Sequence, residues 1–460
     1  MSATAFSNLP LRDDLQRNLA SLQYHDMTPI QALSLPAILD GQDVIGQGKT
    51  GSGKTAAFGL GLLQRLDVGQ FRVQSLVLCP TRELADQVAR EIRKLARAMH
   101  NVKVLTLCGG MPFGPQIGSL AHGAHIVVGT PGRIDEHLRK GKLNLSAVHT
   151  LVLDEADRML DMGFQDTLDA IVERVPTPRQ TLLFSATYPD EIRQIAARVM
   201  TRPVMAQAPT TPDETSIEQH VYQVRDRDER LLALRLLLHH HQPLSALVFC
   251  NTKQGTVEVM QALRDEGVSA LAMNGDLEQK QRDQMLVRFA NQSVTVLVAT
   301  DVAARGLDID DLDLVINYEP ANDQDVHVHR VGRTGRAGEH GVACTLFTNR
   351  EEHKRVRLAE HLGIDLEVEP LPHREVLNAP LARPPMVTLQ LDSGRKQKIR
   401  PGDILGALTG DGGLNGSDVG KITLFELQAF VAVKRAVAKQ ALTALSQGKL
   451  KGRSVRARRL

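Results

Sequence analysis

At 460 residues the chain is too long for one compact core, and about 150 residues per domain implies roughly three domains. Apolar residues at 42% and charged residues at 23% fit a globular chain and exclude a largely disordered, collagen-like or disulfide-dense protein. The net charge of +2 hides an asymmetry: residues 381–460 carry 15 Lys and Arg against 5 Asp and Glu, a balance of +10, which leaves the first 380 residues at −8. A basic tail on an acidic body suits either a polyanion partner or a solubilising face, and composition does not choose between them.

No apolar run is long enough to span a bilayer, and no signal-peptide pattern opens the sequence, so a cytoplasmic protein away from membranes is expected. Cys79, Cys108, Cys250 and Cys344 are widely spaced and form no CxxC pair; they read as free thiols in a reducing compartment.

Short, continuously apolar runs alternate with helical patterns through residues 40–350. Strands are expected at 43–46, 75–79, 125–129, 150–154, 181–185, 246–250, 294–300 and 314–317. Runs without polar alternation are buried on both faces, as in parallel sheets covered by helices on each side. Polar residues with two prolines at 206–216 and a proline-rich stretch at 370–384 mark linkers. In the tail, Val387, Leu389 and Leu391 alternate with Thr388 and Gln390, predicting a strand with one buried face. A helix near 403–408, strands at 420–424 and 429–433, a helix near 434–445 and a strand at 454–459 complete a βαββαβ order.

The sharpest motif is Gly48-Lys-Thr-Gly51-Ser52-Gly53-Lys54-Thr55, between a strand and a helix. Glycines let backbone N–H groups close around phosphate oxygens at a helix N-terminus, Lys54 reaches the β- and γ-phosphates, and Thr55 suits Mg²⁺. Asp154-Glu155-Ala-Asp157 ends a strand, which places Asp154 to hold Mg²⁺ and Glu155 to orient the attacking water. Alone, this run would serve equally well as an acidic helix start.

With these stand Pro80-Thr-Arg-Glu-Leu-Ala85, Thr130-Pro-Gly-Arg133, Ser185-Ala-Thr187, Ala299-Thr-Asp-Val-Ala-Ala-Arg-Gly-Leu-Asp308 and His329-Arg-Val-Gly-Arg-Thr-Gly-Arg336. The ordered set resembles the DEAD-box RNA helicases. The resemblance implies an α/β fold of two tandem RecA-like parallel-sheet lobes, at 1–205 and 217–369, that close around ATP and RNA. It assigns Lys54, Asp154, Glu155, Arg333 and Arg336 to catalysis, the last two as arginine fingers that neutralise charge on the γ-phosphate. It places Gln31 on the adenine edge, Phe6 near the position of an adenine-stacking aromatic, and Asp308 on the ribose. The alternative reading of Phe6 is a hydrophobic staple or an edge-of-core contact. Ser185, Thr187 and His329 match residues that couple the acidic motif to lobe closure. Pro80, Thr81, Arg82, Gly110, Thr130, Gly132, Arg133, Gln279, Arg282 and Thr300 match contacts to the RNA backbone, which give selectivity for RNA without sequence reading. Asn274 and Gly48-Lys49 depart from the commoner family residues.

Residues 385–460, with Pro401-Gly-Asp-Ile-Leu-Gly-Ala-Leu-Thr-Gly410, resemble the small α+β, RRM-like C-terminal domain of the DbpA subfamily. That resemblance implies an anchor on a hairpin of 23S ribosomal RNA and work in large-subunit assembly. Arg395, Lys396, Lys398, Arg400, Lys421, Lys451 and Arg453 are the phosphate-binding candidates, and Arg456, Arg458 and Arg459 suit either a phosphate or a frayed end. Trp is absent and the usual aromatic run is missing, so Phe430 reads as core rather than as a base-stacking platform. A competing class is a chaperone or clamp in which ATP only controls grip; Glu155, Arg333 and Arg336 favour turnover. A monomer is the simplest expectation.

Overall fold

The computed structural model describes residues 4–48, 51–208, 217–304, 312–335, 341–410 and 412–460. These form two compact units, one on either side of the stretch 209–216. The first is built on seven strands: β1 (Val44–Gln47), β2 (Ser75–Leu78), β3 (Val104–Leu107), β4 (Ile126–Gly129), β5 (Thr150–Asp154), β6 (Gln180–Ser185) and β7 (Val204–Gln207). They lie in the order β3-β4-β2-β5-β6-β1-β7, and every pairing is parallel.

The continuous apolar runs have a direct cause. Successive side chains point to opposite faces of a strand, and here each face has its own core. Val77, Val128, Val152, Leu182 and Phe184 enter one apolar cluster, while Leu76, Val127, Leu151, Leu153 and Leu183 enter the other. The helix Arg82–Leu95 covers the first with Leu84, Val88, Ile92 and Leu95, and the helix Pro131–Arg139 covers the second with Ile134 and Leu138. β7 carries the sheet to Gln207, with Ala206 buried beside Gly46, so two residues expected in the linker are paired strand. The rest of that linker lies outside the described residues, apart from Ala208.

The second unit begins with another seven-stranded parallel sheet: β8 (Ile217–Val224), β9 (Ala246–Phe249), β10 (Ala270–Met273), β11 (Val296–Ala299), β12 (Leu314–Asn317), β13 (Gly341–Thr348) and β14 (Val368–Glu369). The order is β10-β11-β9-β12-β13-β8-β14. The tail adds β15 (Met386–Leu391), β16 (Val419–Leu424), β17 (Ala429–Lys434), a small hairpin of β18 (Lys449–Leu450) and β19 (Arg453–Ser454), and β20 (Ala457–Arg459). β16-β17-β15-β20 form an antiparallel sheet. Helices Pro401–Thr409 and Ala438–Gln447 lay Ile404, Leu408, Ala441 and Leu445 on Val387, Leu389, Val431 and Val433. The hairpin takes part of the stretch expected as one final strand.

One expectation fails here. β15 is buried on both faces: Thr388 is 0% and Gln390 1% exposed. Thr388 Oγ1 accepts from Asn291 Nδ2 at 3.1 Å and lies 2.7 Å from Ser293 Oγ, while the Met386 N–H donates to the Gln292 carbonyl at 3.4 Å. The turn 291–293 of the second lobe therefore seals the face that the alternation assigned to solvent. Phe430, cross-strand from Gln390, is 2% exposed and meets Phe425 edge-on at 5.5 Å, on this face rather than in the aliphatic core. The proline-rich stretch also docks. Leu371 and Leu381 pack on the second lobe, the Ala379 carbonyl lies 2.9 Å from His239 Nδ1, and the Ala382 N–H donates to Gln242 Oε1 at 3.1 Å.

Replacing Thr388 by Val keeps the shape but leaves the buried Asn291 amide without its acceptor, which costs about 1–3 kcal/mol. Urea unfolding of the full chain should show a correspondingly lower midpoint for the transition of this unit.

Candidate active site

In a parallel sheet every carboxyl end lies at one edge, and the loops that leave that edge form the ligand site. In the first lobe β1 leads to the glycine-rich loop, β2 to Pro80-Thr81-Arg82, β3 to Gly109-Gly110, β4 to Thr130–Arg133, β5 to Asp154–Asp157 and β6 to Ser185–Thr187. Six motifs scattered over 140 residues are thus brought to one edge.

Gly51 and Gly53 take φ of +83° and +94°, the left-handed region that glycine enters freely. A Cβ on Gly53 would collide with the Gln31 amide and sit 3.0 Å from Thr28 Oγ1. Gln31 Oε1 accepts from the Thr28 N–H at 2.9 Å, its Nε2 donates to the Gly53 carbonyl at 3.1 Å, and Thr28 Oγ1 donates to the Ser52 carbonyl at 2.7 Å. Gln31, expected on adenine, is thereby built into the phosphate loop, which it ties to the helix Pro29–Leu39. Phe6 is 3% exposed and belongs to the first-lobe core, so packing accounts for its burial.

Lys54 is buried, and its Nζ donates to the Gly48 carbonyl at 2.5 Å. Asp154 is 2% exposed at the end of β5. Burial first, and the neighbouring Glu155 charge second, raise its pKa to about 7, against the pull of Lys54. Glu155 adopts φ +52°, ψ +53°, an uncommon left-handed conformation for a side chain of this size. Asp157 Oδ2 accepts from the Thr187 N–H at 3.1 Å and from Thr187 Oγ1 at 2.9 Å, which joins the acidic motif to the loop after β6. The Ser185 carbonyl accepts from the Gly48 N–H at 3.1 Å, while its buried Oγ has no hydrogen-bond partner among the described residues.

Of the other first-lobe candidates, Gly110 and Gly132 are exposed on their loops. Pro80 is buried at the end of β2. Thr81 caps the next helix, its Oγ1 accepting from the Leu84 N–H at 3.3 Å, and Arg82 lies 3.6 Å from Asp86. Thr130 Oγ1 accepts from the Gly109 N–H at 3.5 Å. Arg133 donates to the Met111 carbonyl at 2.9 Å and pairs with Glu136 at 3.1 Å.

In the second lobe, Arg330 was not singled out in the sequence, yet it organises the loops. Only 2% exposed, it donates to both oxygens of Asp301 (2.6 and 2.8 Å), to Asn317 Oδ1, to the Glu319 carbonyl and to Asn251 Oδ1, with its guanidinium 4.9 Å from the Phe249 ring. It joins the ends of β9, β11 and β12 to the helix Gln324–Val331, which carries His329 and ends just before Arg333. Nothing in a run of basic residues marks one arginine as the buried one. Arg333 is 8% exposed. Thr300 caps the helix Asp301–Ala304 with its carbonyl, Gln279 Nε2 donates to Asp283 at 2.8 Å, and Arg282 reaches the Ala303 carbonyl at 3.4 Å. Asn274 bonds Thr256 and the Asp276 N–H, so it shapes its own turn. Asp308 and Arg336 lie outside the described residues.

In the tail, Lys396 pairs with Glu426 at 3.3 Å, Lys451 with Asp403 at 3.1 Å, and Arg458 donates to Gln390 at 2.9 Å. Arg395, Lys398, Arg400, Lys421 and Arg453 are exposed.

The family models agree with this layout. Residues 28–195 match the DEAD/DEAH box helicase domain, 228–338 the helicase conserved C-terminal domain, and 388–459 the DbpA RNA binding domain. The ATP-dependent RNA helicase DbpA of Escherichia coli K12 is 53% identical over 458 residues, covering 99% of this chain and all of that protein. The chain belongs to the DEAD-box ATP-dependent RNA helicases. The helicase is also 45% identical over 352 residues to the DEAD-box ATP-dependent RNA helicase CshA of Geobacillus kaustophilus, covering 76% of this chain and 74% of that one. A Saccharomyces cerevisiae Dbp5 structure bound to RNA and ADP BeF3 superposes with a TM-score of 0.71 at 28% identity, over 80% of this chain and 96% of that one. As a member of this family the helicase hydrolyses ATP, and its C-terminal domain is an RNA-binding domain.

Two predictions follow from the buried charges. Arg330→Ala strands Asp301 and three other acceptors, which should cost about 3–5 kcal/mol, whereas Arg225→Ala, at an exposed pair with Glu229, should cost under about 1 kcal/mol; chemical denaturation measures both. The unfolded chain ionises Asp154 near its ordinary 3.8 and the metal-free fold near 7, so this group removes stability as pH rises from about 4 to about 7. In chelator, Asp154→Asn should be more stable than the parent at pH 8 and equal to it at pH 4.

Proposed function

We propose that the helicase unwinds short RNA duplexes locally while its C-terminal domain holds a hairpin of 23S ribosomal RNA, in assembly of the large ribosomal subunit. The match of residues 388–459 to the DbpA RNA binding domain carries this reading, with the full-length similarity to E. coli DbpA behind it. The +10 balance of residues 381–460 supports it, because phosphate contacts by Lys and Arg dominate affinity for RNA. The setting is the cytoplasm and the working form a monomer.

In this reading Lys54 leaves the Gly48 carbonyl for the β- and γ-phosphates, and the backbone of Gly51, Ser52 and Gly53 lines the phosphates. The hard oxygen donors of Thr55 and Asp154 suit Mg²⁺, and a buried carboxylate beside a second acid is a group that a divalent cation stabilises. Bound there, the ion neutralises phosphate charge. Glu155 orients water, and Arg333 and Arg336 offset the charge that spreads over the transferred phosphoryl group. Gln31 and Asp308 contact adenine and ribose. The Asp157–Thr187 bond couples the acidic motif to the loop after β6, with Ser185 and His329 in the same relay. Pro80, Thr81, Arg82, Gly110, Thr130, Gly132, Arg133, Gln279, Arg282 and Thr300 hold the RNA backbone. Arg395, Lys396, Lys398, Arg400 and Lys421 serve the anchor.

The test uses the full chain, because removing residues 381–460 would expose the 291–293 turn that Thr388 covers. Phosphate release is followed with a 23S fragment that contains the hairpin, the same fragment with the hairpin scrambled, and generic RNA. The intact fragment should stimulate at the lowest concentration, and Glu155→Gln should abolish release. Replacing Arg395 or Lys396 by Ala should reduce the salt slope of fragment binding by about 0.7–0.9 per lost phosphate contact. Equal stimulation by the scrambled fragment would refute the anchoring.

A further inference from the structure

One polar node of the first lobe has no role in the site described so far. Gln116, on the helix Phe113–Ala121, is 8% exposed. Its Nε2 donates to the Cys108 carbonyl at 3.0 Å, which fixes the orientation of the amide. Its Oε1 therefore points at two groups: Arg133 Nη1 at 3.0 Å and His137 Nε2 at 2.9 Å.

An amide oxygen only accepts, so His137 must offer an N–H from Nε2. The imidazolium also offers one, but the neutral tautomer, with a bare lone pair on Nδ1, is the form that a buried ring without a second acceptor adopts. The surroundings agree: His137 is 0% exposed, and Nδ1 is buried with no hydrogen-bond partner among the described residues. A proton there would be an unpaired buried donor beside a guanidinium. Burial first and the Arg133 charge second lower the pKa of the ring. The Phe113 ring stacks on the imidazole, with centroids 4.2 Å apart, and also lies 5.5 Å from the Arg133 guanidinium.

Arg133 is held from every side by these contacts. Nη1 donates to Gln116 and to the Met111 carbonyl, and Nε faces Glu136. Its outward capacity is confined to Nη2. The node also joins the loop after β3, through Cys108 and Met111, to the helix that begins Thr130-Pro-Gly-Arg133. Two loops expected on the RNA backbone thus share one anchor, which lies under their surface.

We propose that Gln116 and His137 are positioning residues for RNA: they hold Arg133 and the Gly109-Gly110 loop in the pose that receives the sugar–phosphate backbone, so that the seat is built before RNA arrives. This rests on the reading of Arg133 as an RNA contact. Freeing a long side chain that binding must then order weakens affinity, by about 2- to 10-fold for one such residue.

The experiment measures RNA-stimulated ATPase of the full chain with generic single-stranded RNA, reading KM for RNA, KM for ATP and kcat at saturating RNA, with a melting curve for each variant. Gln116→Ala and His137→Phe should raise KM for RNA by about 2- to 10-fold and leave kcat and KM for ATP unchanged. His137→Gln restores an N–H donor toward Gln116 and should recover the parent KM, which a loss of packing would not. Arg133→Ala should raise KM for RNA at least as much, and adding Gln116→Ala to it should raise KM by less than Gln116→Ala does alone. If Arg133→Ala raises KM for RNA while the Gln116 and His137 variants do not, the positioning role is overturned and the Arg133 contact stands. If Arg133→Ala itself leaves KM for RNA unchanged, the contact falls and the positioning role with it. Additive effects in the double variant, or losses of kcat that track the melting temperature, also overturn the proposal.

Discussion

The parallel direction of the two large sheets is the constraint on which the molecule depends. Parallel strands need crossover helices, and the helices cover both faces, so each central strand buries side chains on both sides. The same direction collects the loops at one edge of each sheet. Stability and function then separate cleanly along each strand. Residues such as Leu151, Val152 and Leu153 fill the two cores, and the next residue, Asp154, stands at the loop edge. The motifs are short because each needs only the few residues between a strand end and a helix start.

Placing chemistry at the end of buried strands also buries charge, and the two lobes treat that charge differently. Arg330 is satisfied on all sides by Asp301, Asn317, Glu319 and Asn251. It is a structural clamp whose removal would strand its partners. Among the described residues Asp154 has no such ring of donors, only the Glu155 N–H. Its carboxylate lies beside Glu155, with Lys54 as the nearby cation, and is pushed toward neutrality. A site that is poorly compensated by the protein is one that a bound cation and nucleotide can complete. Gln31 belongs between these extremes, since its amide braces the phosphate loop.

The tail shows how a basic balance is distributed. Lys396, Lys434 and Lys451 pair with Glu426, Asp418 and Asp403; the three lysines are exposed while Asp418 and Asp403 are half-buried, and pairs with a solvated lysine add little stability. The sheet face that an RRM-like domain could offer to bases is occupied: Thr388 meets Asn291 and Ser293, and Phe430 is covered. The basic side chains left exposed on this domain, among them Arg395, Lys398 and Arg400, lie on its loops. The same burial holds the domain on the second lobe, so that Asn291 and Thr388 link the helicase core and the RNA-binding domain.

The sequence by itself determined whatever depends on neighbours along the chain. Periodicity located the strands, because burial on two faces leaves continuous apolar runs. The glycine-rich loop, the acidic strand end and the βαββαβ order of the tail were legible because their chemistry lies within a few consecutive residues. Tertiary structure decided the pairings between distant residues. Asp157 finds Thr187, Arg330 finds Asn251, and Gln116 finds both Arg133 and His137. The alternation of β15 predicted a solvent face, and only the arrival of the turn 291–293 buried Thr388. A side chain's pattern records the polarity it can tolerate; which partner satisfies it is fixed when elements far apart in the chain close upon one another, and no local signal carries that information.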